Sequence, residues 1–149
     1  MRLEEVHSVE VDRYITEHHY LHSAPAGARL RLWIKDDSNN IIGAMMWGRP
    51  TARTYNQERI LELTRMFMVD DTEPYAESKA LAMARKLIRK QLPQVKGLIS
   101  YSSTGEHHKG TIYEADGWFA VGMIEAKAWN KKDRANIDVS KKIRWVRSA

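Results

Sequence analysis

Apolar residues in this chain recur at two spacings, and the spacings mark out its elements. From Ser8 to Glu17, Val11, Tyr14 and Ile15 fall at helical intervals, with Ser8 available as a cap. Arg29–Lys35 alternates as a strand. Asp36-Asp37-Ser38-Asn39-Asn40 is turn chemistry, and Ile41–Trp47 reads as the second strand of a hairpin. Arg59–Met68 predicts a third strand, with Ile60, Glu62, Thr64 and Met66 on one face and Leu61, Leu63, Arg65 and Phe67 on the other. Tyr75–Gln91 is the clearest helix. Ala80, Leu81, Ala84, Leu87 and Ile88 form its apolar stripe, opposed by Lys79, Arg85, Lys86, Arg89 and Lys90. Pro93 stops it. Val95–Tyr101 then predicts a buried strand, His107–Ala115 a short helix, and Gly117–Ala126 and Asp138–Val146 two closing strands. Such an order predicts an α/β (α+β) protein: one mixed, mostly antiparallel sheet with helices packed on its faces. At 149 residues, a single domain over 1–149 is expected.

Polar residues inside these core-like segments are the candidate chemistry. His18-His19-Tyr20-Leu21-His22, Leu61-Glu62-Leu63-Thr64-Arg65-Met66, Ile99-Ser100-Tyr101 and Gly110-Thr111-Ile112-Tyr113 each place a polar group among apolar ones. A buried guanidinium needs a partner or a site, and together these segments suggest one pocket. The absence of cysteine excludes disulfides, cysteine-ligated zinc and thiol catalysis. No stretch approaches a membrane span and Met1–Val6 lacks the apolar run of a signal peptide, so a soluble, cytoplasmic protein is expected, with no membrane partner.

Charge matters once it is located. The chain carries a net +5. Residues 127–149 hold Lys127, Lys131, Lys132, Arg134, Lys141, Lys142, Arg144 and Arg147 against Asp133 and Asp138, so this region alone is +6 and the rest close to −1. With Trp129 and Trp145 interleaved, it can track phosphates and stack bases. It can equally be a solvated edge hairpin whose lysines discourage pairing.

The element order is similar to that of GNAT-type acyltransferases, whose cofactor enters between the strands flanking the long helix. That resemblance implies a glycine-rich phosphate cradle at the start of the helix. Here residues 69–78 hold no glycine, one proline and four acids. Ordinary acetyl-CoA binding is therefore disfavoured, and the donor or cofactor is left unknown.

More specifically, the chain resembles the Mom family of bacteriophage DNA-modification proteins, GNAT-related enzymes that convert adenine in DNA to a carbamoylmethyl derivative. The resemblance rests on His19-Tyr20, Leu61–Met66, Ser78 at the head of the long helix, Ile99-Ser100-Tyr101 and Gly110–Tyr113. It continues through Gly117-Trp118, Gly122 and Lys142-Ile143-Arg144-Trp145. It implies a GNAT-like fold acting on the exocyclic amine of adenine in DNA, with His19, Tyr20, Arg65 and Tyr113 catalytic. Ser78, Tyr101, Ser103, Glu106 and Gly110 would bind substrate or donor. Lys127, Trp129, Lys131, Lys132, Arg134, Lys142, Arg144 and Trp145 would hold nucleic acid. Where the family favours an aspartate this chain has Ser103, with Glu106 the nearest acid.

Each assignment has a plainer counterpart. His19 is a general base or a helix-end residue bonded to the last carbonyls. Arg65 forks onto a ligand or pairs with Glu62. Tyr113 donates to a leaving group or packs as a core aromatic with its hydroxyl satisfied. His18 and His22, and the adjacent His107-His108, read as polar rim residues in preference to metal ligands, so no metal is expected. Met45-Met46 and Met66 with Met68 read as packing. Two other functions remain open: a CoA-dependent N-acetyltransferase for a protein or small-molecule amine, and a non-catalytic GNAT-like DNA-binding or counter-defence protein. A homodimer is compatible with either.

Overall fold

The computed structural model describes residues 1–70, 72–103, 110–125 and 141–149, with side chains at all of these except 103, 123–125 and 141. The elements run β1 (Arg2–Glu5), α1 (Glu10–His18), β2 (Leu30–Lys35), β3 (Ile41–Gly48), β4 (Ile60–Met68) and α2 (Ala76–Gln91). They continue as β5 (Gly97–Ser103), α3 (Thr111–Ala115), β6 (Phe119–Glu125) and β7 (Lys141–Ser148). Seven strands make one sheet in the order β1-β2-β3-β4-β5-β7-β6, as the mixed, mostly antiparallel expectation required. Every neighbouring pair is antiparallel except β4 and β5.

The two long helices cover opposite faces. Ala80, Leu81, Ala84 and Ile88 of α2 pack on Leu32, Ile34, Met45, Trp47, Leu61 and Leu63. Val11 and Ile15 of α1 pack on Trp33, Ala44 and Met46. At about 25 cal/mol per Å² of apolar surface removed from water, these two layers are the main stabilising term. No helix among the described residues is long and apolar enough to cross a membrane.

Three local differences from the sequence reading position the site. First, β1 was not anticipated: Arg-Leu-Glu-Glu offers only Leu3 to the core, and an edge strand needs no more. Second, β4 does not alternate cleanly. Met46 pairs with Arg65 but Trp47 pairs with Leu63, leaving Thr64 as an extra residue whose hydroxyl donates to Met46 O at 3.1 Å. This β-bulge shifts the phase. Leu61, Leu63, Met66 and Met68 all join the α2 core, while Phe67 packs on the α1 side. The shared face of Leu61, Leu63, Arg65 and Phe67 expected from strict alternation is thus corrected. Third, β4 and β5 pair only from Ile60↔Gly97 to Leu63↔Ser100. Beyond Ser100, β5 stays with β7 while β4 stays with β3, so the two strands diverge.

Candidate active site

A cavity of about 600 Å³ opens where β4 and β5 part. Its walls come from four places: the end of α1 (His18 to Leu21), β4 (Glu62 to Met68), β5 (Ser100 to Ser102) and the start of α3 (Gly110, Ile112, Tyr113), with Lys142 of β7 at one side. Of the residues expected to be functional, His19, Tyr20, Arg65, Tyr101, Gly110, Tyr113 and Lys142 line this single space.

His19 is the residue after α1, in extended backbone, and only 7% exposed. Its Nδ1 accepts the Leu21 N–H at 3.2 Å, and its ring stacks on Tyr20 with centroids 4.5 Å apart. Burial, then the neighbouring positive charges of Arg65, His22 and Lys142, push its pKa down to about 4. A neutral imidazole whose Nδ1 accepts must carry its proton on Nε2. In that geometry His19 presents an Nε2–H donor.

Arg65 is not ion-paired with Glu62. Its Nε and Nη2 donate to Ser23 O (3.0 Å) and Ser23 Oγ (3.1 Å), and Nη1 donates to Thr64 O at 2.7 Å. The loop after α1 therefore fixes the guanidinium, and the bulge aims it.

Glu62, expected within the pocket-forming Leu61–Met66 run and as a partner for Arg65, is the buried acid of the site. It is 6% exposed, and Oε1 accepts both the Thr51 N–H (2.9 Å) and the Thr51 hydroxyl (3.0 Å). Oε2 has no hydrogen bond among the described residues. Burial raises the Glu62 pKa, outweighing the lowering by Thr51, Arg65 and Lys142. Its signal in the sequence was an acid between Leu61 and Leu63, a position that costs free energy unless the carboxylate is used.

Tyr113 is buried with its hydroxyl 2.8 Å from Ser100 Oγ, and Ser100 Oγ lies 3.1 Å from Leu63 O. Ser100 has one proton and Leu63 O can only accept, so Tyr113 is the donor in the first bond. Burial pushes its pKa up to about 12. The ring lies over Trp145 at 5.7 Å and edge-on to Trp118. Gly110 has φ +87°, and a Cβ there would run into the Trp145 ring, so only glycine fits.

The other expected residues fall elsewhere. Ser78 does not line the cavity; its hydroxyl donates to Tyr75 O at 3.0 Å in the first turn of α2. Trp145, expected at a nucleic-acid surface, is 3% exposed and donates Nε1–H to Ser102 Oγ at 2.8 Å, so it supports the cavity floor instead. Arg144 donates to the Tyr55 hydroxyl at 2.9 Å. Ser103 ends β5 opposite Lys142. The side chain of Ser103, together with Glu106, Lys127, Trp129, Lys131, Lys132 and Arg134, lies outside the described residues. Among the described residues no three His, Asp or Glu side chains gather as metal ligands.

The family model of the Mom protein family covers residues 1–147. The chain belongs to the Mom protein family. A relative within it, the methylcarbamoylase mom of Escherichia phage Mu, is 26% identical over 95 residues, 58% of this chain and 39% of that protein. The match thus spans well under half of that relative's length. Among solved structures, the spermidine/spermine N-acetyltransferase SpeG of Vibrio cholerae aligns with a TM-score of 0.63 at 11% identity, covering 99% of this chain and 93% of its own. A GNAT-family acetyltransferase from Bacillus anthracis aligns at 0.62 and 12%, covering 79% and 65%. At such identities the likeness establishes the fold, and this Mom-family chain has the GNAT fold.

That fold implies an acyl-CoA donor whose diphosphate meets the first turn of the central helix. The residues here do not fit one. Asp70 and Glu77 line the cavity at that end, and Glu73 is committed to Lys79 at 3.5 Å. Tyr75, at φ +63°, occupies the left-handed position before α2 that a glycine favours. Carboxylates at a helix start stabilise the helix but repel phosphate.

Proposed function

We propose that this protein is a transferase that places a small acyl or carbamoylmethyl-type group on the exocyclic amine of adenine in DNA. The Mom-family match and the phage Mu relative support the substrate class. The observation that carries the reaction is the cavity itself, in which a water-shielded carboxylate (Glu62) shares one space with two fixed donors, Arg65 and His19.

Chemistry follows from these groups. An adenine amine inside a duplex is out of reach, so the base is flipped or already unpaired when it enters. The amine is a weak nucleophile because its lone pair is delocalised into the ring, so proton removal has to accompany attack. Glu62, raised in pKa by burial, is the group suited to take that proton. The nitrogen forms its bond to the electrophilic carbon of an activated donor. The bond from that carbon to the leaving group breaks, and the leaving group departs with the pair. Where the attacked carbon is an acyl carbonyl, negative charge developing on its oxygen is met by the Arg65 guanidinium and by His19 Nε2–H, which are oriented before the reaction begins; where it is a methylene carbon, the same donors meet the departing group's charge. Tyr113, with its proton held by Ser100, shapes the far wall. No step is assigned to CoA.

The test is mass spectrometry of nucleosides from the DNA of a host expressing the chain, beside Glu62→Gln and Arg65→Ala. A new adenosine-derived mass, lost in both variants, supports the reading. Unmodified nucleosides from a host making soluble parent protein refute it.

A further inference from the structure

Taking DNA as the substrate, as proposed above, we infer that the segment between β3 and β4, residues 49–59, together with Phe119 on the edge strand β6, forms a second nucleic-acid contact surface. It lies beside the cavity, and Arg144 and Arg147 of β7 adjoin it.

The segment is built as a rigid platform. Asn56 Oδ1 accepts the N–H groups of Glu58 (3.0 Å) and Arg59 (2.9 Å), and Gln57 donates to Tyr55 O at 3.1 Å. It is tied to the site near its start and to β7 further along. Thr51 holds the Glu62 carboxylate through its N–H and hydroxyl, and Tyr55 accepts from Arg144 of β7. Yet its cations are little used. Arg53 and Arg59 are exposed, and neither guanidinium has a hydrogen bond or ion pair among the described residues. Among the described residues, Arg49 reaches only exposed Glu58, at 3.3 Å. A surface ion pair of that kind contributes little to stability, so a folding role does not account for these arginines. Ordered backbone carrying unengaged arginines beside a cavity suits phosphate contacts, which fix a duplex in register without reading its sequence.

Phe119 supplies the second half. It is 69% exposed, an unusual place for so large an apolar side chain at a strand start. It borders a cleft of about 290 Å³ shared with Tyr55, Ile99, Val146 and Arg147. Ile99 lines this cleft and Tyr101 lines the main cavity, two residues along β5 and about 7 Å apart on the same sheet face. The cleft therefore continues the cavity along one strand. An aromatic ring beside arginines on that line offers a stacking platform for an unstacked base next to the one being modified.

The experiment is fluorescence anisotropy of the full chain with a labelled duplex containing one unpaired adenine, titrated over a range of salt concentrations. Arg53→Ala/Arg59→Ala is expected to make the log–log salt dependence shallower by roughly 2, one counterion per lost contact. Phe119→Ala is expected to weaken binding on the order of tenfold with the slope unchanged. Lys86→Ala/Arg89→Ala, which removes the same charge from α2, is the control and leaves the slope as in the parent. A parent-like slope and affinity in the Arg53/Arg59 variant, or an equal loss in the control, overturns the surface while leaving the DNA reading intact. No binding by the parent chain overturns the DNA reading and the surface with it.

Discussion

The sharpest prediction concerns which atom of His19 acts. Its Nδ1 is occupied by the Leu21 N–H and its pKa is pushed down to about 4, so at neutral pH it offers a proton on Nε2. Asparagine and glutamine separate the two nitrogens. His19→Asn keeps a short acceptor for Leu21 but loses the donor in the cavity. His19→Gln extends an amide N–H to roughly the place of Nε2. Removing one preorganised donor from a developing oxyanion costs about 10²- to 10³-fold in turnover. His19→Asn is therefore expected to lose about that factor, and His19→Gln to stay within about tenfold of the parent, measured as modified adenosine per DNA by quantitative mass spectrometry. The ¹⁵N spectrum of the parent at neutral pH gives an independent reading: His19 is expected as the Nε2–H tautomer, uncharged well below pH 6. Equal, complete loss in both variants, or a His19 that titrates near its ordinary value of 6.5, refutes the donor assignment.

Other outcomes follow from the same geometry. His19 has a folded pKa below its unfolded value, so the unfolded chain binds the proton more tightly. Stability is thus full above pH 6.5 and lost as pH falls towards about 4, by about 3 kcal/mol over that window; His19→Gln is expected to flatten this limb in urea titrations at stepped pH. Glu62 is the opposite case: with its pKa raised by burial, the folded state binds the proton more tightly than the unfolded chain, so stability declines as pH rises from 4.5 through the folded value. Glu62→Gln is expected to abolish modification while raising the melting temperature at pH 7 relative to the parent. Asp116 is nearly buried between Arg85 (2.8 and 2.7 Å) and the Trp118 indole N–H (2.8 Å), so Asp116→Ala strands a buried cation and is expected to destabilise by about 3–5 kcal/mol in urea unfolding. Gly110→Ala forces Trp145 to move and is expected to lower both modification and melting temperature, whereas Gly122→Ala, also at positive φ (+143°) but with nothing within 4 Å of the added carbon, is expected to lower only the latter.

Much of the fold was legible because its long elements are strongly periodic. The α2 stripe, the β2–β3 hairpin and β4 as a strand could be read from apolar spacing alone. What escaped depended on tertiary pairing. A bulge at Thr64 leaves no mark in a run such as Leu-Glu-Leu-Thr-Arg-Met, because any of its polar residues could be the extra one. Period-two reasoning accordingly put Arg65 on the wrong face. Trp145 looked like a surface aromatic because lysines and arginines flank it, yet its own position alternates inward onto Gly110 and Ser102. The chemical environment of His19 was also out of reach, since a lowered pKa comes from burial and from Arg65, which is 46 positions away in the sequence.

The divergence of β4 and β5 has a consequence for how the cavity can be lost or controlled. The sheet is two antiparallel leaves, β1–β4 and β5-β7-β6, stitched by four residue pairs. Glu62, Arg65 and His19 stand on one leaf, while Tyr101, Tyr113 and Lys142 stand on the other. Neither leaf can make the reaction vessel by itself. Under the proposed function, a chain divided in the connection between α2 and β5 would mark DNA only where its two pieces meet again, leaving a chemical record of their encounter in the genome.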